Sequence, residues 1–182
     1  VVLGLAKSPA VEKYDLRSVT HIIAGAAPLG AELTRAASER IGTLVRQGYG
    51  MTETSCIISL TPHADTPPQL DSVGLPVVGC ETQLVDGELW VRGPQIMRGY
   101  FNRPEATAEM LLPDGWLRTG DIADIDENGW LRIVDRCKEL IKYKGSQVAP
   151  SELENILLSH PEVVDAGVAG VPDEEAGELP RA

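Results

Sequence analysis

An α/β fold is predicted, built from the end of a parallel α/β subdomain, a small β-rich and barrel-like subdomain, and the start of an α+β domain. Three observations predict it. Two apolar strand-like runs, Val19–Ala24 and Thr43–Gln47, flank a helical stretch in β-α-β order, which makes the two strands parallel. From Ile57 onward the pattern changes to short strand-like segments separated by Gly and Pro, the signature of a small barrel or sheet. Beyond Asp135 comes a basic stretch, then one amphipathic helix and one further strand.

Taken in order, Val1–Lys7 reads as a helix ended by Ser8-Pro9. Val19–Ala24 is apolar and β-branched, so it is expected to be buried, with a tight turn at Gly25-Ala26-Ala27-Pro28. Gly30–Ile41 follows as a helix with Leu33, Ala36, Ala37 and Ile41 on one face. Pro62, Pro67 and Pro68 mark an irregular loop. Ser72–Pro76, Thr82–Asp86 and Glu88–Arg92 read as strands, and Pro104–Leu111 as a short helix with Pro104 in its first turn. Ile122–Asp126 and Trp130–Val134 flank Glu127-Asn128-Gly129, and Asn-Gly between strands is a strong hairpin signal. Pro150–Ser159 is a helix with Leu153, Ile156 and Leu157 on a face, and Val163–Val171 a strand. Gly177–Ala182 resembles the entry to another strand. The expected organisation is therefore residues 1–60, 61–134, a joint at 135–138, and 139–182. Both ends read as cut, so a piece of a longer protein is expected.

Composition bounds the function. The 182 residues carry a net charge of -11, with 43% hydrophobic and 24% charged residues, typical of a globular protein. A pI near 4.7 argues against a nucleic-acid partner. No apolar run approaches membrane-spanning length, so no transmembrane segment is expected. Cys56, Cys80 and Cys137 are dispersed, which favours a reducing compartment over a disulfide framework; the cytoplasm is the expected location. The histidines do not cluster at ligand spacing: His21 begins a buried strand, His63 lies in the Pro-rich loop, and His160 ends a helix before Pro161. Arg136 and Lys138 beside Cys137 would lower its pKa, though no base or second thiol accompanies it. Trp90, Trp116 and Trp130 fit core positions of a β layer.

Three stretches carry chemistry. Asp135–Gly145 gathers three lysines and an arginine in an acidic chain, a local reversal of sign suited to an anion. If Glu139–Tyr143 is a strand, Lys138, Leu140, Lys142 and Lys144 share one face; a solvated strand edge guarded by lysine would look the same. The loop Gly48-Tyr49-Gly50-Met51-Thr52-Glu53 falls at the carboxyl end of a parallel strand, where ligands gather. Its two glycines admit an anion to backbone N–H groups. Tyr49 offers a flat face for a base, Thr52 a hydroxyl for a phosphate and Glu53 a hard oxygen for Mg²⁺. The alternative is a plain glycine turn whose Thr52 caps a helix. Asp121, after Thr119-Gly120 at a strand start, could accept both hydroxyls of a ribose, or cap a turn.

Five motifs then occur in a recognisable order: Gly25-Ala26-Ala27-Pro28-Leu29, Gln47–Glu53, Gly87–Gly93, Thr119-Gly120-Asp121 and Asp135–Gly145. Together they resemble the adenylate-forming acyl-CoA synthetases, nearest to the 4-coumarate–CoA ligase and luciferase branch through Tyr143–Pro150, over essentially the whole chain. The resemblance implies a ligase in which a carboxylic acid attacks the α-phosphate of Mg·ATP to give an acyl-adenylate, from which coenzyme A displaces AMP. It implies Tyr49 stacked on adenine, Thr52 on phosphate, Glu53 on Mg²⁺, and Asp121 and Arg136 on the ribose. Gly25, Ala26, Ala27, Gln47, Gly48 and Gly50 would line the nucleotide and acyl site. Lys138, Lys142 and Gln147 would meet the adenylate during thioester formation, with Lys144 and Gly145 near coenzyme A, after rotation about a hinge at 135–138. The family's Ser/Thr/Gly-rich phosphate loop and its carboxyl-terminal catalytic lysine are absent from these residues, so the chain alone is expected to be inactive. A peroxisomal address beyond them would change the expected location. Alternatives are a module that loads a carrier protein, a luciferase-like oxygenase, or a non-catalytic nucleotide-binding module.

Overall fold

A computed structural model describes residues 1–27, 29–62, 69–160 and 162–182. The expected turn residue Pro28, the loop residues His63, Pro67 and Pro68, and the stop at Pro161 lie outside the described residues. Among the described residues the fold is mixed α/β, with three four-stranded sheets and few helices.

The first helix, α1 (Val2–Lys7), ends at Ser8 as its sequence requires, and Ser8 Oγ accepts the Ala10 N–H of a following 3₁₀ turn. Strand β1 (Ile22–Ala24) pairs in parallel with β2 (Val45–Tyr49) across helix α2 (Ala31–Ile41). Gly42 closes α2 in the left-handed conformation at φ 77°, which glycine adopts without a Cβ clash. Two expectations fail here. The helix buries Thr34 and Ala37 while Ala36 is exposed, because the buried face is turned toward Thr34 and away from Ala36. Strand β1 is not buried: it is the end strand of its sheet, His21 is exposed and Ile23 is 60% exposed. The sheet is completed by two short antiparallel strands, β3 (Ser59–Leu60) and β4 (Leu75–Pro76).

The second sheet is an antiparallel meander of β5 (Glu81–Val85), β6 (Glu88–Arg92), β7 (Leu117–Ile125) and β8 (Leu131–Arg136). Helix α3 (Pro104–Met110) lies between β6 and β7, with Pro104 at its start. The Asn128-Gly129 hairpin forms as expected, closed by Asp126 Oδ1, which accepts the N–H groups of Asn128 and Trp130 at 2.9 Å each. The core is here: Ile58, Leu89, Val91, Leu117, Ala123 and Leu131 are at most 1% exposed. At about 25 cal/mol per Å², such side chains contribute roughly 1.5–3 kcal/mol each. Of the tryptophans only Trp130 is buried. Trp90 and Trp116 are half-buried beneath guanidinium groups, Arg118 at 5.8 Å and Arg92 at 4.7 Å from the ring centres, an arrangement that satisfies both ring and cation.

The third sheet contains β9 (Ile141–Tyr143), β10 (Ser146–Val148), β11 (Ala169–Asp173) and β12 (Gly177–Arg181), with helix α4 (Pro150–Ser159) inserted between β10 and β11. The late strand is Ala169–Asp173, not Val163–Val171, and Ile156 of α4 is 66% exposed, not part of its packed face. Ile141, Ala149 and Ala176 are the buried apolar residues of this part. The expected joint, residues 135–138, begins at the end of β8. Asp135, 8% exposed, accepts the N–H of Arg136 at 2.8 Å and the N–H of Ser151 in the first turn of α4 at 3.0 Å. The Ser151 hydroxyl donates to the Val134 carbonyl at 2.7 Å.

Candidate functional site

The end of β2 carries the glycine-rich loop to the face of the meander. Gly48 and Tyr49 are still in the strand, so the turn begins later than the glycines suggest. A Cβ on Gly25 would lie 3.0 Å from the Gly48 carbonyl oxygen, so the turn after β1 and the end of β2 touch backbone to backbone. Ala26 follows at φ 68°, a left-handed conformation that costs a non-glycine residue free energy and is often held at functional sites. Gly50 is required sterically, since a Cβ there would overlap the Cys56 carbonyl. Its chemistry is thus backbone packing as much as anion access.

Gln47 is buried, and its Nε2 donates to the carbonyls of Leu29 at 3.2 Å and Leu70 at 2.6 Å. It braces the loop from within. Thr52 and Glu53 open a 3₁₀ turn, Thr52–Thr54, with Thr52 exposed. Thr54, not Thr52, makes the turn's side-chain bond: its hydroxyl donates to the Met51 carbonyl at 3.0 Å. The Glu53 carboxylate accepts the Tyr100 hydroxyl at 2.7 Å, and the Glu53 carbonyl accepts the Met97 N–H at 2.8 Å. Hydrogen bonding to the carboxylate pushes the Tyr100 phenol up to about 12. Tyr100 escaped sequence reasoning as a site residue, because it lies some fifty positions from Glu53 in a segment without periodicity.

Three expected residues converge. The Tyr49 hydroxyl donates a short hydrogen bond to Asp121 Oδ2, and Arg136 Nε stands 3.8 Å from Asp121 Oδ1. They come from β2, β7 and β8, and Asp121 faces Arg136 directly across the antiparallel register. Asp121 is the fifth residue of β7, not a strand start, paired with β8 on one side while its own N–H donates to Thr119 Oγ1. Burial raises its pKa, while the Tyr49 hydroxyl and Arg136 oppose that rise. Burial and the Asp121 charge both keep the Tyr49 phenol protonated. Tyr49 also packs against the core cluster, which fixes the ring.

The basic stretch is arranged differently from its expected alternation. Cys137–Glu139 forms a turn, β9 is only three residues long, and Lys138, Leu140, Lys142 and Lys144 do not share one strand face. Nor is β9 an edge: it lies between β10 and β12. Lys144 and Gly145 form the two-residue hairpin turn at φ 47° and 83°, the double left-handed geometry that matches strand twist. Lys142 and Gln147 face each other across this hairpin, both exposed, and the Lys142 N–H donates to Glu178 at 2.7 Å. No hydrogen bond among the described residues joins Lys138, Lys142, Lys144 or Gln147 to the Tyr49–Asp121–Arg136 group. Cys137 departs from expectation too. Burial, with Glu88 and Asp121 nearby, raises its thiol pKa against the smaller opposing effect of Arg118. Cys56, Cys80 and Cys137 are free thiols.

Comparison with known proteins agrees with this geometry. The AMP-binding enzyme family matches residues 2–101, and the AMP-binding enzyme C-terminal domain matches residues 152–182. Luciferin 4-monooxygenase of Photinus pyralis is 51% identical over 97% of the chain and 34% of its own length. 4-Coumarate–CoA ligase 2 of rice (Oryza sativa subsp. japonica) is 46% identical over 100% of the chain and 35% of its own length. The chain thus spans about a third of the length of the curated relatives it matches. Among solved structures, the anthranilate CoA ligase AuaEII in complex with anthranoyl-AMP superposes over 99% of the chain and 36% of its own, with a TM-score of 0.88 and 28% identity. With the family's match covering more than half of these residues, the chain belongs to the AMP-binding enzymes.

Proposed function

We propose that these residues are part of an ATP-dependent carboxylic acid–CoA ligase, which forms an acyl-adenylate and then an acyl-CoA thioester. The observation that carries the reading is the convergence of Tyr49, Asp121 and Arg136 from three strands on one point. A carboxylate held between a phenol and a guanidinium suits a ribose, whose paired hydroxyls need a fixed acceptor. The neighbouring phenol ring suits the attached base. Arg136, with its side chain 71% exposed, is positioned to reach a phosphate or ribose oxygen from the rim.

Glu53 fits one ligand position of Mg²⁺, an ion that keeps several waters and takes one or two carboxylates beside substrate phosphates. Among the described residues no group of three or more His, Cys, Asp or Glu could hold a metal by itself, in keeping with an ion held mainly by nucleotide. When bound, Mg²⁺ would neutralise charge developing on the phosphates. Tyr100 orients the Glu53 carboxylate for that task. Exposed Lys142, with Gln147 opposite it, is the cation for thioester formation once the hairpin is brought to the adenylate; Lys138, Lys144 and Gly145 belong to the same movement and to coenzyme A. The movement would pivot at 135–138, between the family's larger and smaller parts. The 182 residues alone would be inactive, since a triphosphate grip and the adenylating lysine would come from elsewhere in the longer protein.

Carboxylate-dependent ATP–pyrophosphate exchange by the full-length protein, across aromatic, fatty and amino acids, tests the reading. Exchange with one class and thioester formation on adding coenzyme A support it; ATP binding without exchange for any acid removes it. A luciferase-like oxygenase is the second reading, favoured by the 51% identity to luciferin 4-monooxygenase. Oxygen-dependent light emission with luciferin distinguishes it.

A further inference from the structure

The geometry points to Glu88 as a positioning residue for Asp121, acting through the Gly120 peptide; the inference rests on the ribose reading of Asp121. By the alternation of β6, Glu88 belongs to the outward face with Trp90 and Arg92, yet it is only 9% exposed. Its carboxylate is fully engaged. Oε1 accepts the Gly120 N–H at 3.0 Å, while Oε2 accepts Trp90 Nε1–H at 3.0 Å and Arg118 Nε and Nη2 at 3.2 and 3.1 Å.

These bonds sit where the β6–β7 register shifts between Glu88 and Trp90. There the ladder cannot satisfy every peptide group of β7, and Glu88 supplies the acceptor that a partner strand would otherwise give. Gly120, at φ 75°, is fixed from both sides: Glu88 takes its N–H, and its carbonyl accepts the Cys137 N–H at 2.8 Å. The next residue is Asp121, whose own N–H donates to Thr119 Oγ1 at 3.1 Å, while Thr119 is tied to the Leu89 carbonyl at 2.7 Å. Residues 119–121 are therefore clamped to β6 by two side chains. Trp90 and Arg118 hold the Glu88 carboxylate in place, and Glu88 holds the peptide from which Asp121 projects.

Loss of the clamp lets the Gly120 peptide rotate. Asp121 then loses the fixed direction needed to accept two ribose hydroxyls, while the Tyr49 ring, though it loses its hydroxyl's partner, stays packed against the core cluster. The signature is selective: hydroxyl recognition falls and base recognition does not. Titration calorimetry of AMP and 2′,3′-dideoxy-AMP into the 182-residue chain reads this out. The unsubstituted chain should prefer AMP by about tenfold or more, as charge-assisted bonds imply. Glu88→Ala and Glu88→Met, the second filling the space without an acceptor, should bring that ratio to about one, with dideoxy-AMP affinity changed by less than about twofold. Glu88→Gln leaves a single acceptor for donors that use both carboxylate oxygens, so it should restore only part of the ratio.

The outcomes separate. No preference in the unsubstituted chain, or no binding of either nucleotide, overturns the ribose reading and the inference with it. A preference that survives both Glu88→Ala and Glu88→Met overturns the inference alone. So does unfolding by both variants, which would make Glu88 a residue of the fold and not of the site.

Discussion

Asp135→Ala should detach α4 from the end of β8. The carboxylate serves two N–H groups, one in its own strand and one at Ser151 in the first turn of α4, where unpaired donors and the positive end of the helix dipole meet. Loss of a capping acceptor costs ~1 kcal/mol. Removing the negative charge from the helix start adds about 0.5 kcal/mol. The sum, about 1.5 kcal/mol, corresponds to roughly tenfold faster opening of the first turn. Hydrogen exchange resolved at the Ser151 amide is the assay, with the core amides of Leu89 and Leu131 as internal reference. Asp135→Asn keeps one acceptor for the two N–H groups and no charge, and should recover part of the protection. Ser151→Ala removes the bond to the Val134 carbonyl and should cost about 1 kcal/mol by the same measurement. Unchanged Ser151 exchange in Asp135→Ala, or equal damage from Asn and Ala, refutes the capping argument.

Other predictions follow from the same geometry. Glu53→Gln should return the Tyr100 phenol from about 12 toward the ordinary value, visible as earlier ultraviolet tyrosinate absorbance in an alkaline titration. The sign follows from the raised value. Stability contributed by the Tyr100 proton is fully present below the ordinary phenol range and is lost as pH rises through about 12, so the alkaline unfolding limb should shift to lower pH in this variant. Gly74→Ala should prevent folding, since Gly74 sits at φ 94° and a Cβ would overlap the Leu60 carbonyl carbon; circular dichroism of the purified variant checks it. Leu131→Ala empties a fully buried position and should cost about 2–5 kcal/mol in urea unfolding. Lys142→Ala, at an exposed position, should change stability by less than ~0.5 kcal/mol. On the proposed ligase reading, the same substitution in the full-length protein should slow thioester formation about a hundredfold while sparing pyrophosphate exchange, read in separate half-reaction assays.

Local signals were legible where they rest on chemistry within a few residues. Ser8-Pro9, Pro104 and Asn128-Gly129 each dictate a cap or turn, and each element they bound is present. Burial was less legible, because it depends on what packs against a face. The apolar run of β1 reads as buried, yet Ile23 is exposed; Trp90 and Trp116 read as core, yet each lies under an arginine. The alternation argument for the lysines failed because Lys138 is in a turn and Lys144 occupies a left-handed hairpin position, neither of which has a period-two signature. Motif order singled out Tyr49, Asp121 and Arg136, and the structure brings them together. Glu88, Tyr100 and Asp135 act through bonds to residues 16 to 47 positions away, and no local pattern encodes such a bond.

The open side of β1 has a colloidal consequence. Among the described residues β1 is the end strand of its sheet beside the exposed Ile23, an edge on which a second chain can add a strand, and like-charge repulsion at a net -11 stands against it. Repulsion between molecules weakens over a Debye length, about 30 Å at 0.01 M salt and about 8 Å at 0.15 M. The 182-residue chain should therefore stay dispersed in dilute buffer and associate as salt is added, the reverse of salting-in. Light scattering against ionic strength would trace the crossover, and Ile23→Glu would move it to higher salt by adding a negative charge on that edge.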